Sequence, residues 1–315
     1  MYCINKHLHP EIFQGKNKRR HYFEGWYYRI SDQKLKHTYA VIPGISIGEW
    51  DTHAFIQVID ENHKDYYYHY DICDFQFNED EFEIMIGENY FSKSRIRLNL
   101  VSNDLSIQGD LYFCNIMEYP RSFLRPGDMG PFLHDPCMEC YHDIINIQHD
   151  IIGHLKIAGN KVDFSGGIGY IEKNWGRSMP KAWIWVQSNH FKPDNASFTL
   201  NIGKVRCCGI NFLGFIGMFR YKDRIFMFTT YSGASIRRLF HSDNKLRISL
   251  KNCRFRLDLS VTYAEGGKLK APINGQMCRS ITESINAVIK LRFTDRTGRI
   301  LYEGIGTNAG LEIVE

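Results

Sequence analysis

Apolar and polar residues alternate with a period of two along much of the chain. Arg95-Ile96-Arg97-Leu98-Asn99-Leu100 and Arg254-Phe255-Arg256-Leu257-Asp258-Leu259 are clear cases, and Ile84-Met85-Ile86 is a shorter one. This period puts apolar side chains on one face of a strand and polar ones on the other, the pattern of a half-buried antiparallel sheet. Turn-forming residues such as Ser102-Asn103-Asp104 and Gly159-Asn160 separate the runs. Segments with a helical period are few and short, so the pattern predicts a mainly β protein.

The pattern also repeats. Arg95–Leu100 aligns with Arg254–Leu259 at an offset of about 159, and Tyr66-Tyr67-Tyr68 with Ile225-Phe226-Met227 at the same offset. Ala54-Phe55-Ile56 aligns with Gly214-Phe215-Ile216, and Trp26-Tyr27-Tyr28 with Trp183-Ile184-Trp185, within about three residues of that offset. Four pairings in one order imply duplication. The expected fold is all-β, with two antiparallel barrel domains of roughly six to nine strands each, residues 1–150 and 151–315. The join is expected around Gln148 to Gly153, with Gly153 to Glu172 forming a hairpin that opens the second half.

Composition fits this picture. Aromatic residues make up 14% of the 315, and aromatics favour strands. A net charge of +4 from well-mixed acidic and basic residues argues against a nucleic-acid partner. No apolar run approaches the roughly 20 residues of a membrane span, and Met1 to Arg20 lacks the apolar core of a signal peptide. A cytoplasmic protein is expected, with contact to a membrane surface left open. The nine cysteines, which include the vicinal Cys207-Cys208, are expected to be free thiols, mostly buried.

Four segments concentrate chemistry. In His21-Tyr22-Phe23-Glu24-Gly25-Trp26-Tyr27-Tyr28 a carboxylate sits among five rings. Burial among rings would hold it protonated as a general acid; alternatively it bonds a nearby N–H at a strand end. In Gly166-Gly167-Ile168-Gly169-Tyr170-Ile171-Glu172-Lys173-Asn174-Trp175-Gly176-Arg177-Ser178 the glycines suit a bulge or a close ligand approach. Its polar groups either gather around Trp175 for a ligand or pair with each other. On a strand, Trp183, Trp185, Gln187 and Asn189 share one face, which suits either an apolar pocket with placed amides or a core strand. His134-Asp135-Pro136-Cys137-Met138-Glu139-Cys140-Tyr141-His142 contains C-x-x-C flanked by histidines. Structural zinc draws its ligands from two separated segments, so this one is expected to be a buried strand and no metal is expected. No phosphate-loop, dinucleotide, zinc-protease or nucleophile-elbow motif occurs.

Phe23-Glu24-Gly25-Trp26-Tyr27-Tyr28, Met138-Glu139-Cys140-Tyr141-His142, Gly169 through Ser178 with Pro180, and Trp183-Ile184-Trp185-Val186-Gln187 together resemble the tocopherol cyclase family. The resemblance runs in order over nearly the whole chain. It implies a tandem of lipocalin-like, calycin-type barrels, and it relates the chain to carotenoid hydratase-like proteins.

The plant members cyclise a prenylated quinol to a chromanol, by protonation of an alkene and capture of the cation by the phenol oxygen. The resemblance therefore implies acid candidates in Glu24, Glu139 and Glu172. It also implies cation-facing or pocket walls in Trp26, Tyr28, Trp175, Trp183 and Trp185, and orienting groups in His142, Asn174 and Gln187. The expectation is a cofactor-free enzyme that cyclises or hydrates a hydrophobic isoprenoid substrate. The competing expectation is a non-catalytic carrier that shelters a lipophilic small molecule in one barrel.

Overall fold

In the computed structural model 66% of the residues lie in strands and 4% in helix. The structure describes residues 9–123, 125–207, 210–264 and 266–315. The alternating segments form two antiparallel sheets. The first, 12-stranded, contains β1 (Tyr22–Ser31), β2 (Thr38–Ile47), β3 (Thr52–Ile59), β4 (Asp65–Asp71), β5 (Phe75–Phe77), β6 (Glu83–Ile86), β7 (Asn89–Ser92), β8 (Arg95–Leu100), β9 (Ile107–Glu118), β10 (Cys140–Ile157), β11 (Asn160–Asp163) and β12 (Gly167–Gly176). Its order is β4-β3-β2-β1-β12-β10-β9-β8-β7-β6-β5, with β11 paired to β10.

The second, 11-stranded, contains β13 (Trp183–Ser188), β14 (His190–Lys192), β15 (Ala196–Cys207), β16 (Ile210–Tyr221), β17 (Arg224–Thr229), β18 (Ser235–Ser242), β19 (Lys245–Lys251), β20 (Phe255–Thr262), β21 (Gly267–Ile273), β22 (Gln276–Asp295) and β23 (Ile300–Val314). Its order is β17-β16-β15-β13-β23-β22-β20-β19-β18, with β14 on β23 and β21 on β22.

The first sheet curls into a nearly closed barrel. Tyr22, Glu24, Trp26, Tyr28 and Ile30 share one face of β1. On that side Trp26 stacks on Phe82 at 5.6 Å, and Tyr28 meets Phe91 of β7 at 5.7 Å and Phe113 of β9 at 6.3 Å. Strands β7 and β9 are remote from β1 in the sheet order, so these rings meet across an interior. Each fully buried ring contributes roughly 1.5–3 kcal/mol of hydrophobic stabilisation. The second sheet encloses its own core, with Phe198, Phe219, Phe228, Leu257, Phe293 and Leu311 all buried.

The contacts divide the chain into one unit of residues 1–179 with 268–281 and another of 180–267 with 282–315. The join expected around Gln148 to Gly153 instead falls inside β10. The expected hairpin is present as β10–β11, but the strand that follows it, β12, runs between β1 and β10 and belongs to the first unit.

Three of the four repeat pairings occupy equivalent places in the two sheet orders: β1 with β13, β3 with β16, and β4 with β17. The fourth is displaced by one strand. From β1 through β12, β8 comes fourth; from β13 through β23, β20 comes third. Alternating Arg and apolar residues suit any strand with one wet face, so that match reported a strand type rather than a position.

The cysteines also differ from expectation. Cys73, Cys137, Cys253 and Cys278 are exposed free thiols, and Cys114 and Cys140 are half-buried. Cys3 and Cys208 lie outside the described residues.

Candidate active site

Strands β1, β12 and β10 lie side by side and carry two buried polar groups, one on each face. Register places Tyr27 opposite Glu172, Glu172 opposite Ile144, and Asn174 opposite His142. His142 and Glu172 are therefore diagonal neighbours on the face turned away from the barrel interior. The pairing of β9 with β10 ends at Asn146, which leaves the start of β10 open to the connecting segment 119–139. That segment brings Asp128 onto His142.

The resulting chain of contacts is short. His142 Nδ1 lies 2.6 Å from Asp128 Oδ2, and His142 Nε2 lies 3.2 Å from Glu172 Oε2. The Tyr170 hydroxyl donates to the same Glu172 oxygen at 2.6 Å. Asp128 is fully buried, Glu172 is 4% exposed and His142 8%. Burial alone would push the His142 pKa down, but the facing carboxylates of Asp128 and Glu172 outweigh it and hold the imidazole well above its ordinary value. Asp128 in turn is raised by burial, against the pull of His142. An imidazolium held between two carboxylates, with a phenol beside one of them, can keep and move a proton where water is scarce.

The inner face carries the second group. Lys173 Nζ lies 2.5 Å from Glu24 Oε1 and donates to the Pro10 and Ile12 carbonyls at 2.7 Å each. It sits over the rings of Trp26 and Trp175, 4.8 Å from each centroid. Glu24 also accepts from the Gln14 N–H at 2.9 Å and from the Tyr22 hydroxyl. Thus the carboxylate expected as a protonated acid among rings is paired with a buried ammonium. Nearby, Arg121 bonds Asp143 at 2.7 Å and Glu11 at 3.3 Å. Burial, and the neighbouring Asp128 and Glu11, push Asp143 up to about 7 despite that arginine.

The candidate residues therefore separate. His142, Glu172 and half-buried Asn174 come together on the outer face of the first sheet. Glu24, Trp26, Tyr28 and Trp175 line its interior, where the Tyr28 hydroxyl donates to the Ser92 carbonyl at 2.9 Å and Trp175 stacks on Tyr141 at 5.4 Å. Trp183, Trp185 and Gln187 share a buried face of β13 in the second unit. There Trp183 Nε1 donates to Glu312 at 2.5 Å and Gln187 to Asn189 at 2.9 Å. Glu139 is exposed and joins neither group.

The strand expected over His134 to His142 begins only at Cys140. His134 closes a short 3₁₀ turn, Gly130–His134, and Cys137 follows in a turn in which its N–H bonds Asp135. The glycines of the Gly166–Gly176 segment answer to packing: a Cβ on Gly167 would meet the Ser31 carbonyl at 2.0 Å, and one on Gly169 the His149 ring at 2.1 Å.

Asp128 and Tyr170 are the functional candidates that sequence reasoning missed. Tyr170 was available from the alternation, two residues from Glu172 on one strand face. Asp128 has no such signal, because a loop brings it in.

Among the described residues Asp51, His53 and His69 also gather potential ligand atoms, within 4.8 Å of one another. The two rings stack at 4.2 Å and 16°, and His53 Nε2 is bonded to the Tyr67 hydroxyl at 2.6 Å.

The chain is similar to known proteins in sequence and in fold. It is 23% identical over 173 residues to the chloroplastic tocopherol cyclase of Zea mays, a match covering 51% of this chain and 36% of the maize protein. The matched stretch thus spans about a third of that relative's length. In fold it resembles CghA, with a TM-score of 0.58 at 10% identity over 93% of this chain and 88% of that one. It also resembles kievitone hydratase from Nectria haematococca, with a TM-score of 0.54 at 10% identity over 92% and 88%. Residues 137–314, more than half of the chain and including His142, Glu172 and the whole β13 face, match the family described as tocopherol cyclase-like. The chain belongs to the tocopherol cyclase-like family.

Proposed function

We propose that this protein is a cyclase- or hydratase-type enzyme in which Glu172, recharged by His142, protonates an alkene of a hydrophobic, isoprenoid-like substrate. The contact between His142 Nε2 and Glu172 Oε2 carries this reading. A proton moving from the imidazolium to Glu172 gives a neutral carboxylic acid. That acid adds its proton to one alkene carbon, leaving a tertiary cation and a carboxylate that the Tyr170 hydroxyl stabilises by its hydrogen bond. Capture by an internal phenol oxygen closes a ring, and capture by water gives an alcohol. Either nucleophile then releases one proton, which returns to the His142–Glu172 pair, so the cycle consumes none. Tyr27, opposite Glu172 in register, supplies a ring face for the cation.

The names of the relatives support the same division, since one is called a cyclase and another a hydratase. The carrier reading is weaker. A carrier needs only apolar walls and gives the buried contact between His142 and Glu172 no role.

The test compares wild type with Glu172→Gln on a prenylated quinol and on an acyclic isoprenoid alkene. Gln keeps the shape and removes the acid. Folding and ligand binding should persist while turnover falls by about a hundredfold or more. Unchanged turnover in the variant would remove Glu172 from the mechanism. Wild-type binding of both compounds without conversion would favour the carrier.

A further inference from the structure

The second unit carries an uncompensated cluster of charge on the outward face of its sheet. Register lays one row of side chains across six strands: Phe240, Arg247, Ser260, Lys290, Ile305 and Lys192. The adjoining row holds Arg238, Ser249, Asp258, Arg292 and Glu303. All of these except Phe240 line a trough of about 1180 Å³. Its lining has six cations and two carboxylates, an excess equal to the formal +4 of the whole chain. The charge that looked mild and dispersed along the sequence is therefore concentrated here.

The two carboxylates are spoken for. Asp258 pairs with Arg256 at 2.9 Å and Glu303 with Arg292 at 2.8 Å. Lys192, Arg238, Arg247 and Lys290 have no side-chain partner among the described residues. A second observation is independent of charge. Ser249 is 2% exposed, lies in the trough lining, and its hydroxyl has no hydrogen-bond partner. Buried hydroxyls are normally satisfied, so this one is a donor waiting for an acceptor.

We propose that this trough binds a phosphate group borne by an amphiphile. A phosphate dianion matches several free cations, and arginine forks suit its oxygens. Arg247 and Lys290 are two strands apart, about 10 Å at the backbone, a gap that their long side chains close around one phosphoryl group. The Ser249 hydroxyl donates from the floor. Ile305, 47% exposed, lies in the lining beside Lys290 and would receive the apolar part of the ligand. The phosphate can come from an anionic lipid headgroup in a bilayer or from a free phosphorylated amphiphile.

The experiment uses the full chain with two probes. Inorganic pyrophosphate is titrated by calorimetry, and flotation is measured with phosphatidylcholine vesicles with and without phosphatidic acid. The variants are Arg247→Glu with Lys290→Glu, Ser249→Ala, and Arg296→Glu as a charge change outside the trough; thermal melts confirm that each is folded. Pyrophosphate should bind wild type and the Arg296 variant alike. Binding should weaken about tenfold or more in the double variant, severalfold in Ser249→Ala, and with added salt. Flotation that needs phosphatidic acid and is competed by pyrophosphate identifies the headgroup source, whereas pyrophosphate binding without flotation identifies a free ligand. Binding of neither probe, or equal losses in the trough and Arg296 variants, overturns the proposal.

Discussion

Glu172 and Lys173 are consecutive residues of one strand, both buried, and they face opposite ways into opposite electrostatic situations. Lys173 enters a closed arrangement in which one carboxylate, two carbonyls and two indole faces account for the ammonium, and Gln14 and Tyr22 complete Glu24. It ties the segment around Pro10 and Ile12 to the barrel wall. Glu172 enters an arrangement with an excess of carboxylates over cations, where the proton count is not settled by pairing alone. Burial of charge is common to both, so it does not mark a site. What distinguishes the outer group is its cation: an imidazolium between two carboxylates can pass its proton on, whereas the cations next to the inner face are the Lys173 ammonium and the Arg121 guanidinium.

The first way to break this comparison is Lys173→Met. It leaves the Glu24 charge buried without its counterion, and the expected cost is about 3–5 kcal/mol, read as a fall in the denaturant midpoint. Burial already lowers the Lys173 pKa against the pull of Glu24, which shows that desolvation works against the pair. Pairing Lys173→Met with Glu24→Leu should therefore recover most of the loss, because removing both charges removes the unpaired one. A double variant as unstable as the single one would mean that the pair does more than balance charge.

The inner face has little slack, and Gly169→Ala measures that. The new Cβ would lie 2.1 Å from the His149 ring, whose burial pushes its pKa down to about 3. Overpacking of this kind costs about 1–3 kcal/mol. The His142 contacts lie on the other face, so turnover per folded molecule should change much less than the melting temperature. A loss of turnover without a loss of stability would couple the two faces and undo the distinction.

On the outer face Asp128→Asn keeps the hydrogen bond to His142 and removes a charge. The folded pKa of His142 is raised, so its protonated form, and the stability it contributes, is present at low pH and lost as pH rises through the folded value. Without the Asp128 charge that value falls. The alkaline limb of the pH–rate profile should move to lower pH, with turnover at pH 8 reduced about tenfold. An unmoved limb would show that Asp128 does not set the protonation of His142.

How far each face could be foreseen follows from how its residues are brought together. Alternation around Trp26, Tyr66 and Arg95 is a local property, and it identified strands and most of the duplication. The boundary was not local. Assigning β12 to the first unit depends on its pairing with β1, more than a hundred residues away, and no feature of Gly167–Gly176 announces that partner. Glu172 stood out because its segment is distinctive. Its relation to His142 depends on register across β10, and its relation to Asp128 on a loop that lies against the unpaired end of that strand. Lys173 was visible beside Glu172, but its partner Glu24 was read alone, as an acid among rings, because nothing in the order of residues shows that β1 faces β12.

The smallest expected effect belongs to Glu139→Gln. Glu139 precedes β10 by one residue and lies within the segment that resembles the family, yet its side chain is exposed. Its backbone carbonyl is what the structure uses, accepting from the Arg177 N–H at 2.7 Å and the Ser178 N–H at 3.1 Å. The amide variant preserves both bonds. Stability should change by less than about 0.5 kcal/mol, as for surface substitutions away from packed or paired groups. Turnover should stay within about twofold of wild type, since the Glu139 side chain is exposed and takes no part in the contacts around His142 and Glu172. The measurement sharpens the comparison because Glu139 and Glu172 both lie in segments that carry the family resemblance and share a side-chain type, yet differ in burial and partners. If Glu139→Gln lost activity as Glu172→Gln is expected to, partners and burial would not be what selects the acid, and the contrast between the two faces of β12 would lose its functional meaning.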